Sequence, residues 1–241
     1  MTFKEIVNYR RSVRDYDAQK PLNSEKVKEC IRLATLAPNS SNMQIWGFYH
    51  IEDKAIIGKL AKACFNQSTA TTAQQMVVFV TRRDLYKKRC QQNLDFAKAD
   101  ILKNQPEEKQ ASRIKRAEGY YGKTLPFLYA HFFGFLGFIR MIIAFFTGLF
   151  RPMYREVSNA DMRIVAHKSC ALAAENFMLA MASEGYDTCP MEGYDSKMVK
   201  KILHLPKGAE VNMIISCGIR TKSGVWTERF RVPFEEVYQK L

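Results

Sequence analysis

No part of this chain restricts its fold more than residues 125–150. Of these twenty-six residues only Arg140 carries a full charge, and the run is long enough to cross a bilayer as one helix. Its own sequence argues against that. Gly134, Gly137 and Gly148 weaken a continuous helix, and Arg140 falls near the middle, where a charge is costly in lipid. Two short helices with a bend near Gly137 and Arg140 fit better. They would either pack as a lid over a ligand site or dip into one leaflet of a membrane. Basic flanks at Lys115, Arg116, Lys123, Arg151 and Arg155 favour acidic headgroups in the second case.

Around this run the sequence is that of a globular chain. Hydrophobic residues make up 47% and charged residues 25%, a folded rather than disordered composition. A length of 241 residues suffices for one domain with a substantial core. Thr2 and Glu5 have capping-box spacing around Phe3, Ile6 and Val7, which predicts a short first helix. A second helix opens near Asn23 and Ser24, with Val27, Cys30, Ile31 and Ala34 on one face, and Pro38 stops it. Strands are predicted over 46–51, 76–81 and 211–217. Residues 84–123 are polar and broken once by Pro106, which predicts two exposed helices.

Ser158 and Asp161 repeat the capping-box spacing and open the longest helix, running to about Glu184 with Gly185 as its stop signal. Its many small residues, including Ala166, Cys170, Ala173 and Ala174, predict a central buried helix at a subunit interface. A further short helix is expected over 196–203.

The net charge of +13 favours anionic partners: a phosphate-bearing cofactor, acidic lipid or nucleic acid. Aromatic residues gather in the apolar run instead of interleaving with basic ones, so no nucleic acid is expected. The six cysteines are scattered, with no C-x-x-C and no histidine at ligand spacing, so neither a metal site nor a disulfide framework is expected. Cys30 and Cys170 fall on apolar helix faces, where cysteine packs as a small hydrophobe. Residues 1–5 hold no apolar signal region, and the expected compartment is cytoplasmic, with a peripheral position at the inner face of the membrane as the alternative. No Rossmann, P-loop, zincin or nucleophile-elbow motif is present. His167 reads as packed or capping. With no protein nucleophile or metal, the chemistry is expected to come from a cofactor.

Four short motifs point to which one. Arg10-Arg11-Ser12-Val13-Arg14 concentrates guanidinium groups, whose forked donors suit phosphate. Residues 38–46 read Pro-Asn-Ser-Ser-Asn-Met-Gln-Ile-Trp, residues 190–193 Pro-Met-Glu-Gly, and residues 228–231 Glu-Arg-Phe-Arg. In that order and spacing they resemble the FMN-dependent nitroreductase family, over roughly residues 1–83 and 156–241. The resemblance implies an α+β fold, a mixed and mainly antiparallel sheet wrapped by helices, assembled as an intertwined homodimer. It implies a single domain over 1–241 with an insert at about 84–155, whose part 125–150 is an apolar lid, a membrane contact or both.

The same resemblance implies site residues. Arg10, Ser12 and Arg14, with Arg229 and Arg231, would hold the FMN phosphate and ribityl chain, and Arg11, within the same motif, would bond nearby. Pro38, Asn39, Ser40 and Asn42 would come from the partner subunit to cover the flavin, and Gln44 and Trp46 complete that motif. Asn66 would reach the isoalloxazine edge; three positions on, this chain has Thr69 where many relatives have a basic residue. Pro190, Met191, Glu192 and Gly193 would form the turn whose backbone amide, at Glu192, donates to flavin N5. The implied reaction is a ping-pong transfer of hydride from NAD(P)H through FMN to an electron-poor small molecule such as a nitroaromatic or quinone. Two alternatives accompany it: a reductive dehalogenase or flavin-modifying relative of the same fold, and a basic membrane-surface or nucleic-acid-binding protein with a vestigial flavin site.

Overall fold

The structure, a computed structural model, describes residues 1–132 and 134–241; Phe133, inside the apolar run, lies outside them. Capping sets the first elements. Thr2 caps α1 (Phe3–Tyr9) in a reciprocal box with Glu5, and Asn23 caps α2 (Ser24–Ala34). The second helix ends at Ala34, one turn before Pro38, because Thr35, Leu36 and Ala37 close tighter turns onto its last carbonyls. Then come β1 (Trp46–Ile51), α3 (Lys54–Ala63), α4 (Ser68–Thr71) and β2 (Gln75–Arg82). The mainly helical part follows with α5 (Tyr86–Asn104), α6 (Glu107–Gly119), α7 (Leu125–Tyr129) and α8 (Phe135–Thr147). The long α9 (Asn159–Ser183) leads to β3 (Asp187–Met191), α10 (Ser196–Ile202), β4 (Ala209–Gly218) and the short α11 (Phe234–Val237).

Among the described residues the sheet has order β1-β2-β4-β3, each neighbouring pair antiparallel. The central β2 is buried along nearly its whole length, and its alternation sorts the core into two layers. Met76, Val78 and Val80 face α3 and α10, together with Ile214 and Leu60. Val77 and Phe79 face α2 and α9, together with Ile215, Phe177 and Ala173. A third apolar cluster joins Met43 and Ile45 to Cys90 of α5, Leu125 and Tyr129 of α7, and Met162 and Ala166 of α9. It seats the mainly helical part on the rest. All six cysteines are free and buried.

Three expectations need correction. First, β3 went unread, because Asp187 and Pro190 are poor strand formers. Pro190 is accommodated because β3 is an edge of the sheet, so only Glu192 and Gly193 belong to the loop that follows. Second, Ala173 and Ala174 are fully buried against α2 and the sheet of their own chain. The small residues of α9 therefore pack the core, and its exposed residues include Arg163, Ile164, Lys168, Leu172 and Glu175.

Third, the apolar run bends between Tyr129 and Phe135, with Gly134 at φ +85° as the cap of α8. Gly137 and Arg140 lie inside α8. A Cβ on Gly137 would sit 2.8 Å from the backbone nitrogen of Asn159, so the glycine serves close approach of α9 rather than a bend. Arg140 is 3% exposed. Its Nε donates to the Val157 carbonyl at 2.7 Å, and Nη1 donates to the carbonyls of Phe127 and Ala130 at 3.0 and 2.8 Å. The charge near the middle of the run is thus turned inward, onto the end of α7 and the approach to α9. No helix among the described residues is long and apolar enough to cross a membrane.

Candidate functional site

The basic segment after α1 is held as an extended edge. Ser12 forms an isolated parallel bridge to Thr188 of β3, and the Val13 amide donates to the Thr188 carbonyl at 3.2 Å. Alternation then buries Val13 and leaves Ser12 and Arg14 facing outward. Side chains of α4 fix the register: Thr69 donates to the Val13 carbonyl at 2.8 Å, and Ser68 to the Arg14 carbonyl at 2.6 Å. Thr69 also lies 2.6 Å from Ser216 Oγ and is 1% exposed. Thr69 is therefore a buried anchor for the arginine segment.

The C-terminal segment closes the other side. Arg229 donates to the carbonyls of Val7 and Asn8 at 3.2 and 3.0 Å and to that of Arg10, while Arg11 donates to the Thr227 carbonyl. A cavity of about 340 Å³ results, lined by Arg10, Arg11, Ser12 and Arg14 on one side and residues 225–231 on the other. Arg14 stacks its guanidinium over the Trp226 ring, 6.0 Å from the centroid. Arg10 lies 3.8 Å from Glu175, a loose pair. Arg229 is held below its ordinary value by burial and by the charges of Arg11, Arg231 and Arg10. Like charges gathered around a cavity raise one another's cost until an anion enters.

Beside this cradle the structure joins two further expected groups. Gln67 donates to the Gly193 carbonyl at 2.8 Å and to that of Cys64 at 3.1 Å, while the Asp195 amide donates to the Ala63 carbonyl at 2.8 Å. These bonds put the exposed Asn66 next to Glu192 and Gly193. Phe65 and Asn66 both have left-handed backbones, at φ +57° and +51°, a conformation that side-chain-bearing residues adopt at a cost and that clusters at ligand sites.

The loop over residues 38–44 stands apart. It does not line the arginine cavity but borders α9 near Val165, Ser169 and Leu172. Ser41, Asn42 and Gln44 have positive φ. That strain is held by Asn39, whose side chain accepts from the Gln44 amide at 2.8 Å, and by Asn93 of α5, which exchanges bonds with Asn42 at 3.1 and 3.0 Å.

Sequence reasoning missed the supports: Ser68, Gln67, Asn93, Trp226 and the pair Arg220–Asp187. Arg220 donates through Nε to Asp187 at 2.8 Å, through Nη2 to the Tyr9 carbonyl at 3.2 Å, and stacks 4.6 Å over the Tyr9 ring. It ties α1 to β3 directly behind the arginine segment. Burial pulls its pKa down, yet the bond and charge of Asp187 leave it above its ordinary value. No local motif marks any of these residues. His167 is half-buried, with Nε2 3.4 Å from Glu210 and Nδ1 3.1 Å from the Asn212 amide. Burial, the leading cause, holds its pKa below 6.5 against the pull of Glu210, so it packs as a neutral ring.

Helices cover both faces of an antiparallel sheet, and a basic cavity lies beside its edge strand β3: this is an α+β protein whose cavity is complementary to an anionic ligand. The chain belongs to the nitroreductase family, whose profile matches residues 7–219. It is 25% identical over 211 residues to the oxygen-insensitive NAD(P)H nitroreductase of Enterobacter cloacae, covering 86% of this chain and 82% of that one. It is 24% identical over 229 residues to Protein DrgA of Synechocystis, covering 95% and 89%. Among solved structures, a nitroreductase-type protein from Exiguobacterium sibiricum in complex with FMN superposes with TM-score 0.71 at 22% identity, covering 100% and 98%. A nitroreductase family protein from Streptococcus pneumoniae superposes with TM-score 0.67 at 19% identity.

Proposed function

We propose that this chain is an FMN-dependent oxidoreductase that uses NAD(P)H to reduce electron-poor small molecules, nitroaromatics or quinones among them, and that it works as a homodimer. The observation that carries the reading is the arginine cavity. Five guanidiniums border it, and the donors of Arg10 and Arg14 and the Ser12 hydroxyl are not spent on backbone carbonyls. That donor set fits a dianionic phosphate, which takes several charge-assisted bonds at once. The FMN-bound relative and the NAD(P)H nitroreductase name of another support the choice of ligand and donor.

In this reading Arg10, Ser12 and Arg14 hold the phosphate. Arg229 and Arg11 knit the cradle through backbone carbonyls and, with Arg231, add positive charge. Asn66 lies at the flavin edge, and the exposed backbone that follows Pro190 and Met191, at Glu192 and Gly193, supplies an uncharged donor near N5. FMN, when bound, would supply two-electron redox chemistry between NAD(P)H and the acceptor. The protein contributes position, charge complementarity and exclusion of water. Pro38, Asn39, Ser40 and Asn42 reach the partner's flavin, a reading favoured by their separation from the arginine cavity of their own chain. Residues 84–155 form an insert that borders this loop through Asn93 and Tyr120 and covers the acceptor side.

The test is spectroscopic. Purified protein, or protein incubated with FMN and desalted, should show flavin absorbance that NADH or NADPH bleaches without oxygen and that a quinone restores. A protein that takes up no FMN would overturn the reading.

A further inference from the structure

We propose that the outer face of α8 is a membrane-docking surface that lies in the plane of an anionic lipid leaflet. This goes beyond the flavin reading and does not depend on it. The helix is amphipathic in an inverted sense. Its inward stripe is Gly137, Arg140 and Ala144, at spacing i, i+3, i+7, all buried. Its outward stripe is Phe135, Phe138, Ile142 and Phe145, continued by Leu149 and Phe150, and these six side chains are 41% to 88% exposed. The charged residue is inside and the aromatic ones are outside. A folded monomer seldom leaves so continuous an apolar face in water.

Length and charge select the occupant. Thirteen helical residues span about 20 Å, short of the roughly 30 Å hydrocarbon core, so α8 can lie in a leaflet and not cross it. Its last turn brings little unsatisfied backbone with it, because the Gly148 carbonyl accepts from Arg155 Nη2 at 3.0 Å. No Asp or Glu occurs between Glu118 and Glu156, whereas Lys123, Arg151 and Arg155 in that interval are exposed. An apolar helix with a basic border and no acid nearby is complementary to acidic headgroups over acyl chains.

The test uses the full chain in co-sedimentation with vesicles of phosphatidylcholine alone and of phosphatidylcholine with phosphatidylglycerol. Wild type should pellet with the anionic vesicles and be released by high salt. The double variant Phe138→Glu, Phe145→Glu should bind at least about tenfold more weakly, and Lys123→Glu, Arg151→Glu should lose the preference for anionic lipid. Both sets of positions are exposed, and thermal unfolding checks that each variant folds. If the aromatic variant does not fold, the charge variant carries the test. The proposal is overturned by wild type that stays in the supernatant, by equal binding to both vesicles, or by binding that the variants leave unchanged. An aromatic variant that converts a wild-type dimer to monomer, with no vesicle binding by wild type, would assign the face to a second copy instead.

Discussion

Thr69 donates its hydroxyl hydrogen to the carbonyl of Val13 at 2.8 Å, in a site where Thr69 is 1% and Val13 0% exposed. A dry bond between α4 and an extended segment fixes where Ser12 and Arg14 present their donors. Thr69→Val keeps the shape but strands the Val13 carbonyl, whereas the Ser216 hydroxyl keeps Tyr16 and the Cys189 carbonyl as partners; the cost is about 1–3 kcal/mol. Urea unfolding should show that loss, and FMN affinity should fall with it. Lost stability with unchanged affinity would separate the anchor from the cradle.

Arg140→Met removes the donor shared by the carbonyls of Val157, Phe127 and Ala130 while keeping an apolar stem of similar length. Carbonyls left dry cost about 1–3 kcal/mol. The effect should be local: hydrogen exchange should rise in α7 and α8 and stay unchanged in β2 and β4, and trypsin should cut faster at Lys123 and Arg151. Uniformly raised exchange would contradict the role assigned to Arg140.

In the proposed homodimer, position on α9 separates core from interface. Ala173→Leu should overpack the layer against α2 and the sheet, lowering stability by about 1–3 kcal/mol without dissociating a dimer. Leu172→Lys, on the outward face beside Ser169 and Pro38, should weaken the dimer in analytical ultracentrifugation with little change in the monomer's unfolding. The reverse pattern would place the interface elsewhere.

Stability should fall in two stages as pH drops. Burial first, then Arg163 and Arg83, hold His167 below 6.5 against Glu210. The unfolded chain therefore binds a proton near pH 6.5 that the folded chain refuses. Stability present above that pH is lost as pH falls from it toward the folded value. Glu210 is raised by burial, but its bond and charge with Arg163 outweigh this and leave it below 4.5. Its contribution is present above 4.5 and lost as pH falls toward the folded value. His167→Gln should remove the upper stage and leave the lower, read as thermal midpoint against pH.

The legible parts of this fold were those written locally. Capping boxes at Thr2 and Ser158 placed α1 and α9, and short runs of β-branched and aromatic residues placed β1, β2 and β4. β3 escaped because Pro190 and Asp187 read as loop, and tertiary pairing with β4 overrides them. In the basic run the residues proposed to touch the phosphate have a pattern of their own, whereas those that hold them do not. Ser68 and Arg220 act through contacts 54 and 33 positions away in sequence, and no spacing rule reaches that far. Arg140 weighed correctly against a membrane span, but the bend expected near it is absent because its charge is turned inward onto three carbonyls.

The central claim is that the arginine cavity recognises the phosphate of FMN, and the most direct measurement compares FMN with riboflavin by fluorescence quenching in wild type and Arg14→Ala. Each charge-assisted bond contributes about 1.5–3 kcal/mol. FMN should therefore bind wild type far more tightly than riboflavin, and Arg14→Ala should lose roughly one to two decades of FMN affinity while riboflavin binding stays where it was. Equal affinity of wild type for the two flavins, or an Arg14→Ala loss shared by both, would contradict it.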